Sequence, residues 1–271
     1  MNACTAFAVQ AFFILHGCIK QYNLTLMLHP CLNNYLYFRV ILQNHTMKLT
    51  YYGHSTVEIQ TGGKTLLFDP FITPNELAKH IDVNSLKPDY ILISHGHGDH
   101  VADLLPIQQN SGAKVICIAE IAGWLGNKGV TDAHGMNIGG NFTFDFGRVK
   151  MVYALHSSSM PDGSYGGVPA GFVIYAEGKK IYFAGDTALT YDMKLLAEEQ
   201  LDWAILPIGD NYTMGIDDAV KAADFIACKN VIGVHYDTFP PIKIDKEEAK
   251  EKFLKAGLNL KLPAIGESLE L

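Results

Sequence analysis

The chain has 271 residues, 48% hydrophobic and 18% charged; a folded protein of that size buries roughly three quarters of the surface its unfolded form exposes, which excludes disorder, collagen and coiled coil. Its formal charge of −7 is unevenly spread, because residues 1 to 57 contain no Asp or Glu. From Met47 onward 19 basic residues face 28 acidic ones, a net of −9 that repels polyanions and argues against a general nucleic-acid binder.

The first segment, Ala3 to Leu15, is an apolar run too short to span a bilayer. It lacks a basic flank and leads into Asn, His and Tyr rather than a small-residue cleavage site, so it reads as neither a signal peptide nor a membrane anchor. Residues 1 to 46 are expected to be an N-terminal extension outside the native fold, and residues 47 to 271 a single domain. Cys4, Cys18 and Cys31 belong to the extension, leaving Cys117 and Cys228 in the domain with no CxxC spacing. Such sparse cysteine fits a reducing, cytoplasmic compartment with the thiols serving as small apolar core residues.

From Met47 short runs of Val, Ile, Leu and Tyr recur between Gly, Pro and Asp. They predict strands at Leu49 to Tyr52, Val57 to Gln60, Thr65 to Phe68, Tyr90 to Ser94, Lys114 to Ile118, Asn141 to Phe146 and Val149 to Leu155. A second series follows at Gly171 to Ala176, Lys180 to Ala184, Trp203 to Pro207 and Val231 to Val234, with a Gly-containing hairpin turn at Glu177-Gly178-Lys179. Three- and four-residue apolar spacing predicts helices at Asp192 to Glu199, Ile216 to Cys228 and Lys246 to Ala256, and a further helix around Val101 to Gln109. Meandering strands followed by helix-separated strands predict an α/β protein of two packed sheets with helices outside.

The segment that carries chemistry is His95-Gly96-His97-Gly98-Asp99-His100, directly after the apolar run Tyr90 to Ser94. His95, His97 and Asp99 alternate and can project to one side, with Gly96 and Gly98 read as backbone freedom to turn. His100 joins them only if the chain bends into a helix there. Imidazole and carboxylate without thiolate suit zinc, manganese, nickel or iron more than a structural cysteine site. One loop rarely completes such a site. His156, Asp186 and His235 each follow an apolar strand and are the natural partners, whereas His80 and His134 read as surface or loop residues.

This HxHxDH segment with later strand-end His, Asp and His resembles the metallo-β-lactamase superfamily, over essentially all of residues 47 to 271 and including Asp69 in Leu66-Leu67-Phe68-Asp69-Pro70. Tyr52-Gly53-His54-Ser55-Thr56 and Leu206 to Gly215 resemble the branch of metal-dependent hydrolases related to L-ascorbate 6-phosphate lactonase. The resemblance implies a four-layer αββα sandwich. It also implies two divalent metal ions, zinc by default, with His95, His97 and His156 on one, Asp99, His100 and His235 on the other, and Asp186 between them. The implied activity is hydrolysis of a small-molecule ester, lactone or phosphodiester by a metal-held hydroxide.

The candidate catalytic residues are Asp99, which receives or orients the hydroxide proton, His54 and Asp69. Asp69 stands behind the ligands and holds the His loop. His54 either approaches the metals or satisfies backbone groups at a strand bend. Asp210 and Tyr212 share a strand-to-helix loop where Asp210 can simply fix the turn, and the loops after Asp69, after His156 and around Tyr212 are expected to line the pocket. The expected partner is a small-molecule substrate, with no nucleic acid and no membrane; a homo-oligomer is compatible with the sequence. The alternatives are an iron-dependent oxidoreductase of the same fold and a metal-binding scaffold without catalysis.

Overall fold

The computed structural model describes residues 24–29, 37–42 and 47–271. The chain forms two compact units, Met1–His45 and Thr46–Leu271. In the first, strands β1 (Leu24–His29) and β2 (Tyr37–Leu42) pair antiparallel. The run Ala3 to Leu15 lies outside the described residues. Among those described, no helix is long and apolar enough to cross a membrane.

The second unit holds two seven-stranded mixed sheets. One contains β3 (Lys48–Gly53), β4 (Thr56–Thr61), β5 (Lys64–Phe68), β6 (Tyr90–Leu92), β7 (Lys114–Ile118) and β8 (Ala133–Met136), with β16 (Ser268–Glu270) beyond β3 at its edge. The other runs from β9 (Asn141–Phe144) through β10 (Gly147–Tyr153), β11 (Ala170–Ala176), β12 (Lys179–Phe183), β13 (Trp203–Pro207) and β14 (Asn230–Val234) to β15 (Asn259–Lys261). Glu177 and Gly178 form the two-residue loop between β11 and β12, both at positive φ, as a type I′ hairpin requires.

The second sheet explains the layering. Its strands alternate with period two: Met151, Phe172, Ile174, Phe183, Ile205 and Ile232 join the core shared with the first sheet, where Leu49, Ile59, Leu66 and Phe68 lie. Val152, Val173, Tyr182, Leu206 and Val231 face a second core with Ala219 and Ala222 of α4 (Ile216–Phe225) and Phe253 of α5 (Lys246–Lys255). On the other side Leu104 and Ile107 of α2 (Leu104–Ser111), and Ile121 and Leu125 of α3 (Ala119–Asn127), cover the first sheet. The result is the four-layer αββα sandwich. Cys117 and Cys228 are free and buried in these cores.

Several elements differ from the sequence-based expectation. The helix expected around Val101 to Gln109 is two helices, α1 (Gly98–Val101) and α2. Between them the Asp103 carboxylate accepts from the backbone N–H groups of Ile72 and Thr73 at 2.6 and 2.8 Å. The break also puts Pro106 in the first turn of α2, where its missing N–H costs nothing. Tyr191–Glu199 is a 3₁₀ rather than an α segment. The short strands β8, β15 and β16 carry too little apolar periodicity to be read from sequence, whereas helix α3 has the apolar pair Ile121 and Leu125 but is interrupted by Gly123 and Gly126.

Strand direction sets up the site. β3, β5 and β6 run the same way in their sheet, as do β10, β12, β13 and β14 in theirs. His54, Asp69, His95, His156, Asp186 and His235 each lie at or within three residues of the carboxyl end of one of these strands. Open α/β sheets bind ligands at that end because the loops there are free to carry function.

Candidate metal centre

Three clusters of candidate metal-binding side chains meet at this edge: His95, His97 and His156; His54, Asp99, His100 and His235; and Asp69 with His95 and His100. His80 and His134 stand outside every such cluster among the described residues. The buried Asp186 carboxylate sits among the imidazoles, its Oδ2 lying 3.0 Å from His235 Nε2, 3.3 Å from His100 Nε2 and 3.7 Å from His156 Nε2. His95 Nε2 and His97 Nδ1 are 3.0 Å apart, and His54 Nε2 and Asp99 Oδ2 are 3.2 Å apart. Ligands 2.0–2.1 Å from a tetrahedral metal are separated by roughly 3.3–3.4 Å, so the side chains are spaced much as such an ion would hold them. His100 Nε2 and Asp186 Oδ1 are moreover each buried without a hydrogen-bond partner, which is costly for an atom that meets neither a proton nor a cation. The donor set therefore fits divalent metal.

The short helix α1 does what the sequence required. It turns the chain after His97 so that Asp99 and His100, adjacent in sequence, reach the same cluster. Gly96 and Gly98, however, are not where the chain needs a positive φ. Gly96 is required by proximity: a Cβ there would lie 2.6 Å from the Met160 sulfur and 3.2 Å from the Ser159 carbonyl. Its N–H donates to Ser158 Oγ at 3.1 Å, clamping the loop after β10 to the His loop. A Cβ on Gly98 would meet nothing within 4 Å. The glycine that does need a left-handed backbone is Gly185, at φ +63°, where a side chain would lie 2.8 Å from the Ala170 carbonyl oxygen and 2.8 Å from Ser94 Cβ.

Asp69 is fully buried behind the imidazoles. Its Oδ1 accepts the Ser94 N–H at 2.8 Å, and its Oδ2 accepts from Ser94 Oγ at 2.5 Å and His100 Nδ1 at 2.8 Å. A carboxylate only accepts, so these contacts fix protons elsewhere. His100 carries its proton on Nδ1 and turns Nε2 toward Asp186. Because Ser94 Oγ donates to Asp69, it accepts from His95 Nδ1 at 2.9 Å, and His95 Nε2 is likewise left as an acceptor. One carboxylate thus sets the tautomer of two imidazoles, one that also groups with His97 and His156 and one that also groups with His54, Asp99 and His235. Ser94 is a residue the sequence reading passed over as the end of a strand.

Electrostatics favour neutral imidazoles at His95, His97 and His156. Burial lowers the pKa of His95 well below the ordinary value, and those of His97 and His156 below it too, favouring the uncharged form a metal needs. For Asp186 burial acts upward, but His100 and His235 together hold its carboxyl well below the usual range. Burial likewise opposes charge on His100, yet Asp186 and Asp69 on either side raise its pKa well above normal. A proton and a metal cation are competing answers to the same negative pair.

The clusters open onto a cavity of about 490 Å³ walled by His97, Asp99, His156, Asp186 and His235 together with Ser157, Tyr212 and Phe239. Tyr212 was expected there and is exposed, with Ser157 representing the loop after His156. The loop after Asp69 does not line the cavity: Phe71 instead packs edge-on against the His54 ring, 5.3 Å between centroids. Asp210 caps its own turn at φ +63° by accepting the Asn211 N–H at 2.8 Å. Phe239 carried no sequence signal, being brought in by the turn that follows His235.

A family model described as "Beta-lactamase superfamily domain" matches residues 64–236. The chain belongs to the metallo-β-lactamase superfamily. Within it, the chain is 55% identical over 226 residues to a protein of Flavobacterium johnsoniae named "UPF0173 metal-dependent hydrolase", covering 83% of this chain and 100% of that one. A Christiangramia forsetii protein of the same name is 55% identical over 227 residues, with the same shares covered. Among solved structures, Igni18, a metallo hydrolase from the archaeon Ignicoccus hospitalis, superposes with a TM-score of 0.76 at 37% identity, covering 83% of this chain and 98% of that one. The enzyme class expected from the HxHxDH segment, a metal-dependent hydrolase of this superfamily, agrees with these relatives.

Proposed function

We propose that this superfamily member is a two-metal hydrolase of small, uncharged esters or lactones. The observation that carries the reading is the buried Asp186 carboxylate with His100, His156 and His235 around it; His95, His97 and His156 would hold one ion and Asp99, His100 and His235 another, with Asp186 between the two sets. Bound divalent ions would lower the pKa of coordinated water from about 15.7 toward about 7 and polarise the oxygen of the scissile group. Zinc suits the His and Asp set, as do manganese, nickel and iron.

The chain's own residues supply the rest. Asp99 is partly open to the cavity, with its Oδ2 held by His54, which suits it to take and pass on the proton of the attacking water. The His54 contact and the nearby His100 hold its carboxyl below the usual range against the upward push of burial, so it is a carboxylate at neutral pH. Water adds to the carbonyl carbon, the C–O bond to the leaving group breaks, and the proton follows to the departing oxygen. Among the described residues, no Lys or Arg lines the cavity. A phosphodiester would therefore find no protein cation to anchor it beyond the metals, whereas Tyr212 and Phe239 offer apolar surface to an acyl or ring group.

The test is turnover of matched panels of neutral lactones, carboxylic esters and phosphodiesters by the metal-loaded full chain. Hydrolysis of the first two classes, lost in Asp186→Ala and His97→Ala, is the expected result. Turnover that survives both substitutions, or that is confined to phosphodiesters, overturns it.

A further inference from the structure

His54 is the one buried imidazole at the centre that the two-metal ligand set leaves unassigned, and it is held more tightly than a strand-end residue needs to be. Its ring is enclosed by aromatic neighbours, with centroids 4.1 Å from His235, 5.4 Å from His100, 5.3 Å from Phe71 and 5.5 Å from Phe239. Both ring nitrogens are engaged: Nδ1 lies 3.0 Å from Thr238 Oγ1, and Nε2 lies 3.2 Å from Asp99 Oδ2. Its backbone is left-handed at φ +54°, an unfavourable setting for a residue with a Cβ that persists only where its surroundings enforce it. That turn points the His54 carbonyl at the N–H of His235, 2.8 Å away, and His235 is itself left-handed at φ +57°. The Tyr51 hydroxyl donates to the same carbonyl at 3.2 Å.

Two positions of the proposed second metal are thus gripped by one residue through two different groups. Asp99 arrives on α1 beside the first sheet, and His235 arrives at the end of β14 in the second. Among the described residues, nothing but His54 at the end of β3 is hydrogen-bonded to both.

We propose that His54 is a positioning residue that sets the Asp99 carboxylate through its ring and His235 through its carbonyl, so that the metal held by Asp99, His100 and His235 depends on it while the metal held by His95, His97 and His156 does not. Thr238 completes the arrangement by fixing the ring orientation: its hydroxyl donates to Nδ1 at 3.0 Å, which leaves Nε2 to carry the proton given to Asp99. This inference rests on the two-metal reading above.

Groups that orient metal ligands typically change metal affinity by about 10- to 100-fold when removed. Zinc titrated calorimetrically into the metal-free full chain gives two binding events per wild-type molecule on this account. In His54→Ala one event weakens by about 10- to 100-fold and the other stays within about threefold. His54→Gln places an amide N–H where the histidine has Nε2 and can donate to Asp99, so it restores the weakened event to within about tenfold of wild type. Cobalt substitution reports the same split as loss of part of the visible absorption in His54→Ala at one equivalent of excess metal. Two wild-type events that both persist unchanged in His54→Ala, or that weaken together, overturn the inference and leave the two-metal reading standing. His54→Gln binding as weakly as His54→Ala also overturns it, because the role would then belong to the imidazole as a ligand. Fewer than two events in the wild-type protein overturn the two-metal reading and this inference with it.

Discussion

Asp69→Asn is a sharp probe of the centre because it changes hydrogen-bond polarity without changing volume. The native carboxylate is fully buried and accepts three hydrogen bonds, from the Ser94 N–H and Ser94 Oγ at 2.8 and 2.5 Å and from His100 Nδ1 at 2.8 Å. An amide has one accepting oxygen. If that oxygen takes the Oδ2 place, the NH₂ faces the Ser94 N–H and a buried donor is stranded. If it takes the Oδ1 place, the NH₂ faces His100 Nδ1, which must become an acceptor and move its proton to Nε2, the atom that faces Asp186. The first outcome costs about 1–3 kcal/mol of stability, a fall in Tm of roughly 3–10 °C in a domain of this size. The second costs about 10- to 100-fold in metal affinity. Chelator competition for zinc together with thermal melting of the metal-free protein measures both. A variant with wild-type zinc affinity and a Tm within about 1 °C would refute the tautomer argument.

Three further outcomes follow from the same geometry. Gly96→Ala, whose Cβ would meet Met160 and the Ser159 carbonyl, should destabilise by about 1–3 kcal/mol, whereas Gly98→Ala, with open space and no positive φ, should be neutral or stabilise by up to about 1 kcal/mol; equal melting temperatures for the two would contradict this. Burial pushes the thiols of Cys117 and Cys228 up to about 12 and about 11, so at pH 8 peptide mapping after iodoacetamide treatment should find both unlabelled until the protein is denatured. Removing metal by chelation should lower the Tm by about 10 °C where free zinc stood near a thousand times its Kd, since ligand at that excess contributes about 4 kcal/mol; an unchanged Tm would mean the folded state binds no metal at these residues.

The sequence made the ligand candidates legible because a strand ending in His or Asp is a local pattern, to which His95, His156, Asp186 and His235 belong, and because His97, Asp99 and His100 follow His95 in one short segment. What the sequence could not provide was direction. That β3, β5 and β6 share one direction in their sheet, and β10, β12 and β14 one direction in theirs, follows from pairings between distant segments. The positive φ angles of His54, Asp69 and His235 are equally hidden, since only tertiary contacts keep non-glycine residues there. Gly96 was legible as important and misread in cause, because close approach by Met160 comes from a loop 64 residues away in sequence. Ser94, Thr238 and Phe239 act through contacts with residues distant in sequence, which leave no periodicity behind. The edge strands β8, β15 and β16 escaped because their apolar faces are too small to repeat, and α3 because Gly123 and Gly126 interrupt its helical pattern.

The central claim is that two metal ions share the Asp186 carboxylate. The most direct measurement is metal content per chain, by mass spectrometry of the elements after zinc reconstitution and desalting. The account predicts two zinc ions per wild-type chain and one in each of His97→Ala and His235→Ala, because each removes a residue from one cluster alone. A single ion in the wild-type protein, or two retained in both variants, would contradict it.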